Sequence, residues 1–354
     1  MSVAKTILKS VFSIGEDSSN KRIEKIDFLR GGAMVLVLLH HANVPKGNII
    51  LAFHMPLFFI ISGYIAYIRG EDKRRFSEYT KNRFVRLIVP YFLFELLNLV
   101  LWLGNYKITG GGTEYSIIES IISIVTCVNN GYTGMYGRLW FLPCMFVADI
   151  YARIVLSYCS QSRMKVLTAI LIFMGISWLI VNRTNIRLPF TVDTAFMAAA
   201  FILIGYLSGD FINDILQNNN FFVKIMLFAM FGLYTLYAIK IGNVQMLMYI
   251  NEYGEYTFTI LAAISGSFAF ICIMSVVYEV MKKYNIPQNF IVWYDTNSLV
   301  TFPIHLTIKI FVLYHLKPLG RWYVLFVIML FLNIPIVNII SRYFPIMAGK
   351  YKNK

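Results

Sequence analysis

The sequence predicts an all-α, polytopic membrane protein with about ten transmembrane helices and both termini in the cytoplasm, and three observations predict it. Of its 354 residues 58% are hydrophobic and only 14% are charged, with a mean hydropathy of +0.64, well outside the range of soluble globular domains. Apolar runs of about 17 to 25 residues, long enough to cross a hydrocarbon core, recur from end to end, and the charges gather in the short connections between them. Those charges are also asymmetric. With the N-terminus inside, 22 of the 32 Lys and Arg fall in cytoplasmic segments and eight outside, while Arg30 and Lys309 lie within spans. Topology therefore accounts for the net charge of +14, and nucleic acid is not expected as a partner.

Taken in order, residues 1–25 are polar and basic without a small-residue cleavage site, so they are expected to form a cytoplasmic segment and the first span to stay attached. Spans are expected at 26–43, 49–68, 84–103, 139–158, 165–181, 193–210, 222–240, 258–281, 297–315 and 322–341. The apolar stretch 116–128 is too short to cross and reads as an interfacial or re-entrant helix. Residues 26–341 thus form one membrane domain, followed by a basic cytoplasmic tail at 342–354. Cys127, Cys144, Cys159 and Cys272 have no spacing that suggests a zinc site or a disulfide framework, and they are assigned to packing; no metal is expected. No feature sets an oligomeric state.

The first span carries the chain's most informative residues. From Arg30 to His41 is eleven steps of about 100°, three turns plus about 20°, so the two side chains share a face about 16 Å apart along the axis. His40 lies about 80° off that face, which makes His41 the better candidate. With the N-terminus inside, Arg30 sits near the cytoplasm and His41 near the outer surface. Either residue alone has a bland reading, an arginine snorkelling to headgroups or a histidine resting in the interface, but their shared face favours one polar site.

Other intramembrane polar residues are Glu95, the pairs Asp149/Arg153 and His305/Lys309 at i,i+4, and Asp193. The pair Asp149/Arg153 reads as mutual compensation, whereas His305, mid-span, is a candidate to line a cavity. His54 precedes Met55-Pro56, where a proline near a helix start can open the backbone; it either approaches His41 across the outer turn or is an interfacial ring. Ser62-Gly63 reads as close helix packing rather than a nucleophile. Trp140 heads a helix at the outer surface, where an aromatic belt is expected.

An arginine, ten residues, then a histidine, in a first helix opening "DFLRG" (27–31), resembles the acyltransferase 3 family of integral-membrane, acyl-CoA-dependent O-acyltransferases. "FHMPLFFIISGYI" (53–65) is similar to the second-helix signature of its sugar-acetylating branches. "KNRFVRLIVPYF" (81–92) supplies the family's Arg-x-x-Arg as Arg83 and Arg86, and "LWFLPCMF" (139–146) and "SLVTFPIHL" (298–306) resemble further blocks, the last carrying His305. The hydrolase-like C-terminal domain that some relatives carry is not expected here, so the resemblance implies a stand-alone membrane enzyme.

The resemblance implies transfer of an acyl group, foremost acetyl from acetyl-CoA, to a sugar hydroxyl of a cell-surface polysaccharide or its precursor, in the inner (plasma) membrane of a bacterium. Such chemistry needs a base, charge stabilisation and an anchor for an anionic donor. His41 is the expected base, because an imidazole can accept a proton near physiological pH. Arg30 would orient substrate or offset developing charge, and Arg83 and Arg86, three apart on one helix face, would grip the phosphates of coenzyme A. The rest of the basic loop 69–86 has a simpler explanation in topology. His54, Trp140 and His305 would contact the acceptor. Expected partners are thus acyl-CoA, the glycan acceptor and membrane lipid. The chief rival is a precursor transporter or flippase, which inverted repeats would favour; none is evident.

Overall fold

The computed structural model describes residues 24–71, 75–109, 117–128, 139–184, 187–218, 220–316 and 321–350. Most of the N-terminal segment, residues 72–74 of the basic loop and the last four residues of the tail lie outside them. Among the described residues the chain is a bundle of helices: α1 Glu24–His41, α2 Asn48–Leu51, α3 His54–Arg69, α4 Phe76–Thr109, α5 Ile117–Thr126, α6 Phe141–Cys159, α7 Arg163–Leu179, α8 Val192–Leu207, α9 Gly209–Gln217, α10 Phe221–Ile241, α11 Tyr256–Lys283, α12 Asn289–Thr296, α13 Ser298–His315 and α14 Trp322–Tyr343.

Among the described residues eight stretches are long and apolar enough to cross a membrane unaided, and α12 with α13 makes a ninth if the bent pair counts as one. The tenth is α1. Its 18 residues carry Glu24, Lys25, Asp27 and Arg30, which lower its apolar signal without shortening the helix. This agrees with the all-α polytopic architecture expected from the sequence. The ends also fall on one side: Gly349, in the basic tail, packs beside Leu299 and the backbone of Arg86, and Arg86 is within electrostatic reach of Arg30 near the start of α1.

Helix α8 is buried all round, with Ala195, Met197, Ala198, Ala199, Phe201 and Leu203 fully covered, and α3, α6 and α7 pack against it. Small residues set this closeness. A Cβ on Gly63 would sit 1.8 Å from the Ile202 carbonyl oxygen, and one on Gly205 2.0 Å from that of Ile60, so α3 and α8 touch backbone to backbone. Gly63 therefore does the packing expected of it. Helices α7 and α10 sit at the periphery, where their exposed apolar residues face lipid, and Cys144 and Cys272 are buried in the core.

Four features depart from the sequence reading. The ninth span, expected at 297–315, is α13, but a short helix α12 that was not expected precedes it and meets it at 90° across Asn297. The third span runs far beyond its apolar stretch, from Phe76 to Thr109, with Pro90 inside. The sixth span stops at Leu207, and α9 follows as a separate short helix. A hairpin of β1 Val244–Leu247 and β2 Glu252–Gly254 closes the outer loop, with Gly254 at φ +53° where a Cβ would meet the Asn243 carbonyl at 1.9 Å. The 116–128 stretch forms the ten-residue α5, which is about 15 Å long and cannot cross; Ile118, Ile122 and Val125 are exposed on it, consistent with an interfacial position.

Candidate active site

The site is organised along α1. Near its inner end Gly31 lies against α12 so tightly that a Cβ would come within 1.9 Å of the Ile291 carbonyl oxygen. That contact brings Arg30 onto Asp295 of α12, Nε to Oδ1 3.1 Å, with the carboxylate buried and the arginine side chain 36% exposed. Exposed Arg86 on α4 feels the charges of Arg30, Arg69 and Arg83, so four guanidiniums share this end. Asp295 pairs with Arg30, and Asp149 and Glu71 stand beside Arg83, so these carboxylates offset part of the positive charge and an anion would relieve the remainder.

The Arg-x-x-Arg pair is divided in its environment. Arg83 turns into the bundle, where its Nε lies 3.1 Å from buried Asp149 and donates to the Tyr79 hydroxyl at 3.3 Å, and Glu71 stands 4.0 Å away. Ser62 donates to the same Asp149 at 3.5 Å. The partner expected for Asp149 was Arg153, one turn along its own helix; Arg83 of α4 takes that place, and Arg153 sits over the Tyr79 ring at 5.8 Å. Arg86 instead faces out. Of the two arginines, Arg86 is the more exposed residue.

At the outer end four histidines form a continuous stack. The His54 and His40 rings are 4.7 Å apart between centroids, His40 and His41 5.3 Å, and His41 and His305 4.9 Å. His54 and His305 are buried and His40 and His41 are half-buried. His54 Nδ1 bonds the Ile50 carbonyl at 3.0 Å, and His305 Nδ1 bonds the Thr301 carbonyl at 3.2 Å. Lys309, one turn beyond His305, donates to Asn43 Oδ1 at 3.1 Å, tying α13 to the outer turn. In that turn Asn43 and Lys46 adopt left-handed backbone (φ 64° and 59°), which redirects the chain so that His54 arrives beside His40. Among the described residues no group of three or more His, Cys, Asp or Glu is arranged to hold a metal ion.

The structure thus gathers Arg30, Arg83 and Arg86 at one end of α1 and His41, His54 and His305 at the other. Both Arg30 and His41 meet the α12–α13 unit, one through Asp295 and the other through His305. Trp140 stands apart, joined to the histidines only through a line of rings: Phe141 at 6.1 Å, Phe302 a further 5.2 Å on, then His305 at 5.7 Å. Two polar groups elsewhere have structural partners. Glu95 accepts from the Leu139 backbone N–H at 3.3 Å, and Asp193 pairs with Arg187 at 3.1 Å. Asp295 was missed from sequence, yet a signal was present: it is the last acid in the chain, set in the otherwise apolar run "IVWYDTN".

The family model for the acyltransferase domain matches residues 23–342, nearly the whole chain. The chain belongs to the acyltransferase 3 family. No curated protein matches it. It is therefore an integral-membrane acyltransferase, and the stretch matched includes both ends of α1, the Arg-x-x-Arg pair and the α12–α13 break.

Proposed function

We propose that this acyltransferase moves an acetyl group from acetyl-CoA, supplied from the cytoplasm, to a sugar hydroxyl of a cell-surface polysaccharide or its precursor, in the inner membrane of a bacterium. The observation that carries the reading is the linkage of two unlike clusters by one helix: guanidiniums near the inner end of α1 and imidazoles at the outer end. Phosphates of the donor would be met by Arg86, with Arg30 and Arg69 beside it. The pantetheine arm, extended along α1, would carry the thioester toward His41. There the neutral imidazole of His41 takes the hydroxyl proton as the acceptor oxygen bonds to the acyl carbon. The carbon–sulfur bond breaks, and the imidazolium returns that proton to the leaving thiolate, so the reaction consumes no net proton. Arg30 positions the donor, and His54, His305 and Trp140 bound the acceptor side.

A precursor transporter would share the spans and the buried charges, but membership of an acyltransferase family favours group transfer. The test is His41→Ala in membranes supplied with radiolabelled acetyl-CoA, with glycan masses read in parallel. Loss of label and of the ester-sized mass difference, with normal membrane insertion, is the expected result. Full activity would defeat the assignment of the base.

A further inference from the structure

We propose that His305 is the positioning partner of His41: the Thr301 carbonyl holds its Nδ1–H, and the Nε2 lone pair so left free accepts the N–H of His41, fixing the tautomer in which His41 meets the acceptor hydroxyl. The proposal rests on the reading of His41 as base and deepens it.

The tautomer follows from hydrogen-bond chemistry. A carbonyl oxygen only accepts, so the nitrogen 3.2 Å from Thr301 O carries the proton. An imidazolium would need a second acceptor at Nε2. That atom is buried and has no partner, so the ring is the neutral Nδ1–H form with a bare lone pair at Nε2. A buried acceptor without a donor is costly, and the nearest ring that can supply an N–H is His41, at 4.9 Å between centroids with the planes inclined at 51°. Catalytic hydrogen bonds in unliganded sites are commonly long and tighten when substrate binds.

The stack also separates the adjacent histidines of α1. His54 is held through Nδ1 by Ile50 in the same tautomer, but the ring next to it is His40. Two pairs result, His54 with His40 on α3 and His305 with His41 on α13. Only the second stands on the unit that also binds Arg30 through Asp295. The groups facing His41 are His40 on its own helix, His54 from α3, and His305 and Lys309 from α13; Lys309 is a donor engaged by Asn43, and His305, whose Nε2 is buried and unpartnered, is the ring from another helix in contact with His41, whereas His40, which also has an unpartnered Nδ1, precedes His41 on the same helix.

The experiment compares His305→Ala and His305→Gln in membranes of the expressing cells, whose own glycan is the acceptor, over a range of radiolabelled acetyl-CoA. His305→Ala is expected to lower Vmax about 100-fold with KM for acetyl-CoA within about twofold, the size of effect general acid–base catalysis supplies. His305→Gln, whose amide oxygen can accept from His41, is expected to recover at least about tenfold of that loss. Ring-nitrogen NMR of histidine-labelled protein in bilayers, with His41 signals assigned by difference from His41→Ala, should show one neutral His41 tautomer in the native chain and a mixture in His305→Ala. Activity of His305→Ala within about threefold of native, or a single unchanged His41 tautomer in that variant, overturns the proposal. If His41→Ala is itself active, the underlying base assignment falls; if His41→Ala is dead while His305→Ala is active, only the partnership falls.

Discussion

Arg83 and Arg86 share a motif but not an environment, and replacing each by alanine should separate donor binding from stability. A charge-assisted hydrogen bond to a phosphate contributes about 1.5–3 kcal/mol, and for an exposed residue such as Arg86 the low end applies. At about 1.4 kcal/mol per factor of ten, Arg86→Ala should raise KM for acetyl-CoA about tenfold, with little change in Vmax and a smaller effect in high salt. Arg83→Ala acts elsewhere. It leaves Asp149, whose side chain is 2% exposed, as an uncompensated buried charge. Breaking a fully buried pair costs about 3–5 kcal/mol, and the 25% exposure of Arg83 brings the expected cost to about 2–3 kcal/mol. The assay is donor-dependent label transfer in membranes, paired with thermal unfolding of the detergent-solubilised protein by fluorescence-detected size exclusion. A KM unchanged within about twofold in Arg86→Ala, or a raised KM with an unchanged melting midpoint in Arg83→Ala, would refute this division of roles.

Other perturbations test the packing and the inner ion-pair cluster. Gly63→Leu should abolish monodisperse protein, since even its Cβ would sit 1.8 Å from Ile202 O, whereas Gly104→Ala, with nothing within 4 Å, should leave the elution profile and melting midpoint unchanged. Lys224 is buried and bonds both Glu279 and Ser275. Glu279→Ala strands that ammonium and should cost about 3 kcal/mol, while Lys224→Met should cost about 1 kcal/mol or less because Lys25 still holds Glu279 at 3.2 Å; equal losses of thermal midpoint would contradict this asymmetry.

Hydropathy made the spans legible because lipid requires long apolar runs whatever their packing, and helical spacing placed Arg30 and His41 on one face because 3.6 residues per turn is a local property. What escaped depends on direction and on contacts distant in sequence. The polar cluster Asp295–Ser298 marks where the expected span begins, but hydropathy does not report that the short helix before it meets α13 at a right angle. Asp149 has a cation one turn away, so nothing local in sequence announced Arg83, which arrives from another helix. His54 reached His40 rather than His41 because Asn43 and Lys46 bend the outer turn through left-handed backbone. The strands of the hairpin at 244–254, four and three residues long, are too short for a periodic signal.

The right-angle break at Asn297 gives one stretch of chain two duties. Its short limb fixes the guanidinium of Arg30 and its long limb fixes the ring of His41, so α12 and α13 act like the jaws of a caliper closed on α1. One residue inserted in the first turn of α13 would rotate His305 by about 100° about the helix axis and away from His41, yet leave Asp295 in place. The angle of that joint thus decides whether both jaws can reach α1 at once, while the distance between the two points they grip is set by the rise of α1 itself.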